Sequence, residues 1–202
     1  ITKDGYIKFS RVGFFFVTGV LSQHFSILTD TGVVPAVCSL GPMQFNDKYP
    51  DMDDLVMDVG CTSDEEVKEL GIQVGDFIVP QGNFKTIGKD GKYLVNKAWD
   101  NRIGCAVSLR IMENLKKAGH ENTFIGGGST QEEVGCRGAV TLARMSEAEI
   151  GFSIDVGTAD DIHGMPKEGI SLGKGPELCV MDSATISNRK LLKFVIKGAE
   201  EC

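Results

Sequence analysis

The sequence predicts an α/β chain in two parts, and three observations support this fold class. Short β-branched or aromatic runs, separated by turn residues, dominate residues 1–96. From Lys97 onward, helical and strand-like patterns alternate, which is typical of an α/β layer fold with a partly parallel sheet. The composition, 42% hydrophobic and 24% charged among 202 residues, is that of a globular protein with a substantial core. We therefore expect a β-rich domain over residues 1–96 and part of an α/β domain over residues 97–202.

The β-rich part is expected to consist of short strands and one helix. Asp30–Gly32 indicates a hairpin turn between two of the strands. Ser63 followed by Glu66 is a capping box and predicts the start of a short helix, which Gly71 ends. Such a set of elements favours a small barrel or a partial sandwich. The predicted strands are Tyr6–Phe9, Gly13–Val20, His24–Thr29, Val33–Ser39, Leu55–Val59, Asp76–Val79 and Tyr93–Val95.

The second part opens with a strong helical signal. Apolar residues recur at helical spacing along Asn101–Ala118, which predicts an amphipathic helix. Two further helices are expected at Gly138–Met145 and Asn188–Glu201. The last pattern has no stop signal and the chain starts at Ile1, so we expect a piece of a longer polypeptide. The strands predicted between the helices are Thr123–Gly126, Ile150–Val156 and Cys179–Met181.

The charge balance limits the classes of partner. The chain carries 21 Lys and Arg against 28 Asp and Glu, a formal net charge of -7. This argues against nucleic acid, whose phosphates require a basic face, and against an anionic membrane surface. The apolar run Val12–Val17 is far too short to span a bilayer. None of the six Cys lies in a CxxC pair, so we expect buried reduced thiols in a cytoplasmic protein.

Acidic residues at three places in the second part are candidates for chemistry. Asp100 lies just before the helix predicted at Asn101–Ala118. Glu132 and Glu133 are adjacent and follow one predicted strand, and Asp155 lies near the carboxyl end of the next. Ligands of open α/β sheets bind outside the carboxyl ends of strands, so these places can converge on one crevice. Adjacent carboxylates can divide their roles, one binding a metal ion and the other activating water.

Each place also has a simpler interpretation, which the residues alone leave open. An Asp before a helix is most often an N-cap, and this is favoured for Asp100 taken by itself. A Glu-Glu pair is usually solvated surface, although the glycines around Glu132–Glu133 indicate a tight backbone. Asp155 interrupts an apolar strand and needs a partner, for which a metal ion is suited. The three histidines do not complete this set of candidate residues; they are His24, His120 and His163.

Three motifs follow one another in the second part. They are KAWDNRIGCA at Lys97–Ala106, TQEEVGCRGA at Thr130–Ala139 and IDVG at Ile154–Gly157. Together they resemble the glutamyl/tetrahedral aminopeptidase family of co-catalytic metallopeptidases, and segments such as Asp58–Glu66 and Gly71–Asp76 resemble that family's inserted domain. The resemblance covers essentially the whole chain. It implies part of an α/β/α catalytic domain, interrupted by a small β-barrel-like domain.

The resemblance also implies roles for the four carboxylates. Asp100 is similar to the aspartate that bridges two metal ions, and Glu132 is similar to the general base that activates the bridging water. Glu133 and Asp155 are each similar to a ligand of one metal. The implied cofactors are two divalent ions per subunit, zinc or cobalt. The implied activity is removal of N-terminal residues from peptides by a homo-oligomer, between a dimer and a dodecamer in size.

Two metal-binding histidines of that family, one upstream of the inserted domain and one near the C-terminus, have no counterpart in this sequence. The resemblance therefore implies either that a longer protein supplies them or that this piece does not hold metal tightly. Two other functions stay open. Family members have often been labelled endoglucanases, but a glycoside hydrolase usually needs no metal, and 1 Trp and 3 Tyr offer no clear platform for sugars. The second alternative function is that of a non-catalytic assembly module. In that case Phe14–Phe16 would lie at an oligomer interface instead of in a barrel core.

Overall fold

The structure is a computed structural model that describes residues 1–41, 49–166 and 169–201. It divides into two compact units, Ile1–Ile154 and Asp155–Cys202. The first unit holds the sheets and most of the helices, and the second holds the last helix, so the chain is mixed α/β. Within the described ranges, no helix is both long and apolar enough to cross a membrane.

An antiparallel four-stranded sheet organises the first unit. Its strand order is β3-β2-β1-β4, and a separate hairpin joins β5 to β6. Because β1 pairs on one side with β2 and on the other with β4, β3 and β4 are the outermost strands of this sheet among the described residues. The strands are β1 His24–Thr29, β2 Gly32–Leu40, β3 Leu55–Asp58, β4 Phe77–Pro80, β5 Lys85–Ile87 and β6 Tyr93–Val95.

The core lies against one face of this sheet. Phe25 and Ile27 of β1 are buried, and they alternate with more exposed neighbours as expected for a half-buried strand. The predicted turn at Asp30–Gly32 is confirmed, because Thr29 pairs with Gly32 in the β1–β2 register. The buried apolar residues that form the core are Ile7, Val20, Phe25, Ile27, Ala36, Cys38, Leu55, Met57, Val67 and Ile72.

The α-helices of the described residues are α1 Val17–Val20, α2 Asp64–Glu69, α3 Trp99–Ala118, α4 Arg137–Ser146 and α5 Arg189–Glu200. The predicted helices at Asn101–Ala118, Gly138–Met145 and Asn188–Glu201 are thus confirmed to within two residues at each end. Asn188 caps α5, since its side-chain oxygen accepts from the backbone N–H groups of Lys190 and Leu191. These helices could be predicted because the apolar spacing within each of them is a local signal.

Helix α2 begins at the capping box that the sequence predicts. Ser63 Oγ accepts from the backbone N–H of Glu66 at 3.2 Å, and the Glu66 carboxylate accepts from the Thr62 backbone N–H at 2.6 Å. Together with a hydrogen bond from the Thr62 hydroxyl at 3.0 Å, this backbone bond holds the pKa of Glu66 below its usual range. Val67 anchors the helix in the core, and Gly71 follows it with a φ of 79°. The short helix is therefore fixed at both ends and on one face.

Asp64, at the start of α2, is paired with two lysines. Its carboxylate lies 2.6 Å from Lys68 Nζ and 3.0 Å from Lys3 Nζ, and the residue is buried. The hydrogen bonds from Lys68 and then from Lys3 lower the pKa of Asp64 well below its ordinary value of 3.8. The pair with Lys3 attaches the N-terminal segment to the helix across 61 positions of sequence.

This arrangement predicts a specific acid sensitivity. A carboxyl whose folded pKa is lowered contributes stability above its unfolded pKa, and that contribution is lost as the pH falls through the folded pKa. At pH values below about 4, we expect the free energy of unfolding to decrease more steeply with falling pH in the wild type than in Asp64→Asn. Urea titration at a series of pH values measures this free energy. The exposed Asp4→Asn variant is the control and should follow the wild type. Parallel curves for wild type and Asp64→Asn would contradict this prediction.

Two of the predicted N-terminal strands are wrong. Gly13–Val20 contains no strand, and its last four residues form α1, whose Val20 is buried. Tyr6–Phe9 contributes only one bridge, between Ile7 and Met57 of β3. Both β1 and β2 are already paired on each side, so the segment at Gly13–Val20 has no ladder there to join.

The expected parallel sheet is not found among the described residues, where every strand pair is antiparallel. Thr123–Gly126 and Ile150–Val156 are not strands, and Cys179–Met181 forms a single bridge between Met181 and Ile186. A strand requires a neighbour that completes its ladder of hydrogen bonds, and the described residues provide none for these segments. Their sequence pattern is correct for strands, but the pattern does not supply the partner.

The described cysteines are all free thiols, as predicted, but most are not buried. Burial raises the pKa of Cys38 in β2 to about 11, which makes this thiol inert. Cys61 is half-buried. The other three, Cys105, Cys136 and Cys179, are exposed, so the expectation of buried thiols is wrong for them.

Candidate functional site

Asp100 lies in the first turn of α3 but does not cap that helix. The residue before the helix is Ala98, which has a φ of 61° and makes no side-chain cap bond. Asn101 provides the capping contact instead, because its Oδ1 accepts from the backbone N–H of Gly104 at 2.8 Å. The N-cap interpretation of Asp100 is therefore wrong. Its carboxylate is exposed at the start of α3 and is available for another role.

Asn101 also holds the start of α3 against a second segment. Its Nδ2 donates to the backbone carbonyl of Ile154 at 2.6 Å. Gly104 is buried at this contact, and a Cβ on it would lie 2.7 Å from the Ile154 oxygen and even closer to Asn101 Oδ1. Only a glycine fits at this position. The backbone that carries Asp100 is thus fixed by a side-chain amide and a close approach.

Glu132 and Glu133 lie on a closed loop between residues 130 and 138. The backbone N–H of Gly138 donates to the Thr130 carbonyl at 2.9 Å, and the N–H of Cys136 donates to the Glu132 carbonyl at 2.9 Å. Gln131 has a φ of 57° and Cys136 a φ of 51°, conformations that ordinary residues rarely adopt. The tight backbone predicted from the glycines is confirmed. Both carboxylates of the pair are exposed to solvent.

The two carboxylates of this loop have different neighbours. Oε1 of Glu132 accepts from the thiol of Cys136 at 3.4 Å. Glu133 lies beside Gly13, where an added Cβ would be 3.4 Å from Glu133 Cβ and 3.6 Å from Oε2. Gly13 has a φ of 78°, so an N-terminal segment of the same unit approaches the second carboxylate with a backbone suited to glycine.

Asp155 belongs to the second unit. Its Oδ1 accepts from the backbone N–H of Val156 at 2.8 Å, and the residue is exposed. The structure therefore brings Glu132 and Glu133 together on one loop, and holds Asp100 on α3 of the same unit. The histidines have other surroundings. His24 is exposed on β1, and Nδ1 of His120 bonds with the carbonyl oxygen of Asn122.

Carboxylates are suitable ligands for divalent ions, but too few of these four lie close together to bind one ion. A zinc site uses at least three protein ligands. In residues 1–41, 49–166 and 169–201, no three His, Cys, Asp or Glu side chains are grouped closely enough to hold one ion. The described residues alone therefore do not form a complete metal site. The expected ligand set, Asp100, Glu133 and Asp155, stays a proposal.

Two contacts of the candidate site, those of Gly13 with Glu133 and of Cys136 with Glu132, are not predicted from the sequence. Gly13 is far from Glu133 in sequence, and nothing in its neighbourhood indicates that it approaches the second part. Cys136 follows Glu132 by four positions, a spacing that brings side chains together in a helical turn. This spacing could have predicted the contact between the two side chains. However, residues 132–136 precede α4, and the sequence does not reveal that they form a closed turn.

The chain is similar in sequence and in structure to known proteins. The profile of the M42 glutamyl aminopeptidase family matches residues 1–202. The protein FrvX of Escherichia coli (strain K12) is 34% identical over 200 residues, which are 95% of this chain and 55% of FrvX. A TET aminopeptidase from the marine sediment archaeon Thaumarchaeota archaeon SCGC AB-539-E09 superimposes with a TM-score of 0.93 at 35% identity, over all of this chain and 58% of that one.

A second solved structure is the TET1 peptidase of Pyrococcus horikoshii, which can assemble into a tetrahedron or a large octahedral shell. It is similar with a TM-score of 0.83 at 30% identity, over all of this chain and 60% of that one. The chain thus spans between 55% and 60% of the length of these relatives. Over that portion it has the mixed α/β fold of the TET aminopeptidases. Since the family profile matches from the first residue to the last, the chain belongs to the M42 glutamyl aminopeptidase family.

Proposed function

We propose that the full-length protein is a metal-dependent aminopeptidase that removes N-terminal residues from peptides. The observation that carries this proposal is the closed loop that presents Glu132 and Glu133 side by side, exposed and with different neighbours. Membership of the M42 family supports a hydrolase acting on peptide bonds, and it favours this function over a glycoside hydrolase.

Glu132 is the general base in this proposal. Its carboxylate takes a proton from the water that attacks the scissile carbonyl and then gives it to the leaving amine. The loop supports this role because its backbone hydrogen bonds hold in place the segment that carries the carboxylate before any substrate arrives. The exposed position also leaves the carboxylate accessible to water and to a peptide end.

Asp100, Glu133 and Asp155 are the proposed metal ligands, with Asp100 shared between two divalent ions, zinc or cobalt. A divalent ion bound there would lower the pKa of a bound water and polarise the carbonyl. The described residues group no three donors at one point, so further ligands from the full-length protein are part of the proposal. The contact of Asn101 with Gly104 and Ile154 would keep Asp100 in place.

The organisation of the full-length protein is also proposed. Residues 1–96 would form an inserted β-barrel-like domain and residues 97–202 part of an α/β/α catalytic domain. A cytoplasmic homo-oligomer, between a dimer and a dodecamer, is the expected state. The assemblies of the Pyrococcus horikoshii TET1 peptidase, at 30% identity, support an oligomer.

One assay of the full-length protein separates the candidate functions. The substrates are a short peptide with a free N-terminus, the same peptide with an acetylated N-terminus, and cellulose. We expect release of the first residue from the free peptide alone, loss of this activity after chelation, and its return with added zinc or cobalt. Hydrolysis of cellulose, or cleavage of the acetylated peptide at the same rate, would overturn the proposal. No hydrolysis of any substrate would favour the non-catalytic assembly module.

A further inference from the structure

The thiol of Cys136 lies directly against the carboxylate of the proposed base. Its Sγ donates to Oε1 of Glu132 at 3.4 Å. The two residues are four positions apart, and both are exposed. None of the roles assigned so far uses this thiol. Its position beside Glu132 raises the question of what it does to that carboxylate.

The backbone of the loop holds Glu132 and Cys136 close to each other. The N–H of Cys136 donates to the Glu132 carbonyl at 2.9 Å, which closes the turn between them. Cys136 has a φ of 51° and directly precedes α4, where its own carbonyl accepts from the N–H of Ala139 at 3.2 Å. The contact therefore joins two exposed side chains whose backbones are held by one closed turn.

A thiol is suited to orient a carboxylate that must stay basic. The S–H group is a weak donor, so it restricts rotation of the carboxylate while leaving its negative charge largely in place. A bond to Oε1 leaves Oε2 free to meet the water proton. A charged donor at the same position would make a stronger bond and would stabilise the carboxylate against accepting that proton.

We propose that Cys136 is a positioning residue that orients the Glu132 carboxylate through Oε1, so that Oε2 faces the attacking water. This proposal rests on the role of Glu132 as the base. In this role Cys136 acts only through its contact with Glu132. Residues that act in this way change the rate of the chemical step more than they change substrate binding.

The test compares Cys136→Ala, which removes the donor, with Cys136→Ser, which keeps one, in the full-length enzyme. We expect Cys136→Ala to lower kcat by about threefold to tenfold with KM unchanged, the range for loss of one hydrogen bond. Cys136→Ser should stay within about twofold of the wild type, because a hydroxyl also donates. The control is Cys179→Ala, an exposed thiol beside Asp182, which should leave kcat unchanged.

A double-mutant cycle distinguishes this role from a structural one. In the Glu132→Gln background, Cys136→Ala should leave the residual rate unchanged, because the group it orients is gone. A wild-type kcat in Cys136→Ala would overturn the positioning role alone, provided that Glu132→Gln is inactive. Equal loss in Cys136→Ala and Cys136→Ser, with lowered thermal stability in both, would also overturn it. If Glu132→Gln is as active as the wild type, both this inference and the proposed base fail.

Discussion

Replacing Glu132 with Gln is expected to lower kcat of the full-length enzyme by about a hundredfold or more while the protein stays folded. Proton transfer by a positioned carboxylate contributes about a hundredfold to ten-thousandfold to such reactions. The amide of Gln has nearly the same shape as the carboxylate but cannot accept the proton. KM should change little, because Glu132 is not expected to bind the peptide in its ground state. Initial rates on a free N-terminal peptide measure both constants.

Glu149→Gln is the matched control for this substitution. Glu149 is an exposed carboxylate that follows α4, and the same change of charge there should leave kcat at the wild-type value. Circular dichroism and thermal unfolding of each variant would exclude a loss of folding. A kcat near that of the wild type in Glu132→Gln would contradict the assignment of the base.

Replacing Gly138 with Ala is expected to remove most of the activity. The cause would be displacement of the loop that carries Glu132, and not the loss of a side-chain contact. A Cβ at this position would lie 2.5 Å from the backbone nitrogen of Thr130 and still closer to its oxygen. Backbone atoms cannot rotate away as a side chain can, so the segment from Thr130 to Glu133 must shift. A displacement of about 1 Å of a catalytic group costs about a hundredfold in rate, and we expect kcat/KM to fall by about that factor.

Gly198→Ala in α5 is the control for this second prediction. Gly198 is also inside a helix, but a Cβ there meets nothing within 4 Å. Its replacement should leave kcat/KM unchanged and stabilise the helix slightly, because Ala has a higher helix propensity than Gly by about 1 kcal/mol. Equal activity of Gly138→Ala and Gly198→Ala would contradict the proposal that the closed loop positions the base.

The elements that the sequence predicts correctly are those with local causes. The turn at Asp30–Gly32, the capping box at Ser63 and the amphipathic α3 each depend on residues within one or two turns of each other. The strands expected at Thr123–Gly126 and Ile150–Val156 depend on a partner strand, which sequence pattern does not supply. These two strands were predicted wrongly because strand formation requires tertiary pairing, although the local sequence pattern is that of a strand.

The same division applies to the candidate site. The glycines around Glu132 and Glu133 predicted a tight backbone, and the positive φ values of Gln131 and Cys136 confirm it. The capping role of Asp100 was predicted wrongly, because the helix starts with non-helical residues and the amide of Asn101 takes the cap contact. No sequence signal connects Gly13 to Glu133, since only the folded chain brings these positions together.

In the proposed mechanism the adjacent carboxylates divide their roles, with Glu132 as base and Glu133 as metal ligand. The most direct test is the metal content of purified full-length protein, measured by elemental analysis for the wild type, Glu132→Gln and Glu133→Gln. We expect Glu132→Gln to retain the wild-type metal content and Glu133→Gln to lose much of it, because of these two carboxylates only Glu133 is a proposed metal ligand. Loss of metal from Glu132→Gln equal to that from Glu133→Gln would contradict this division.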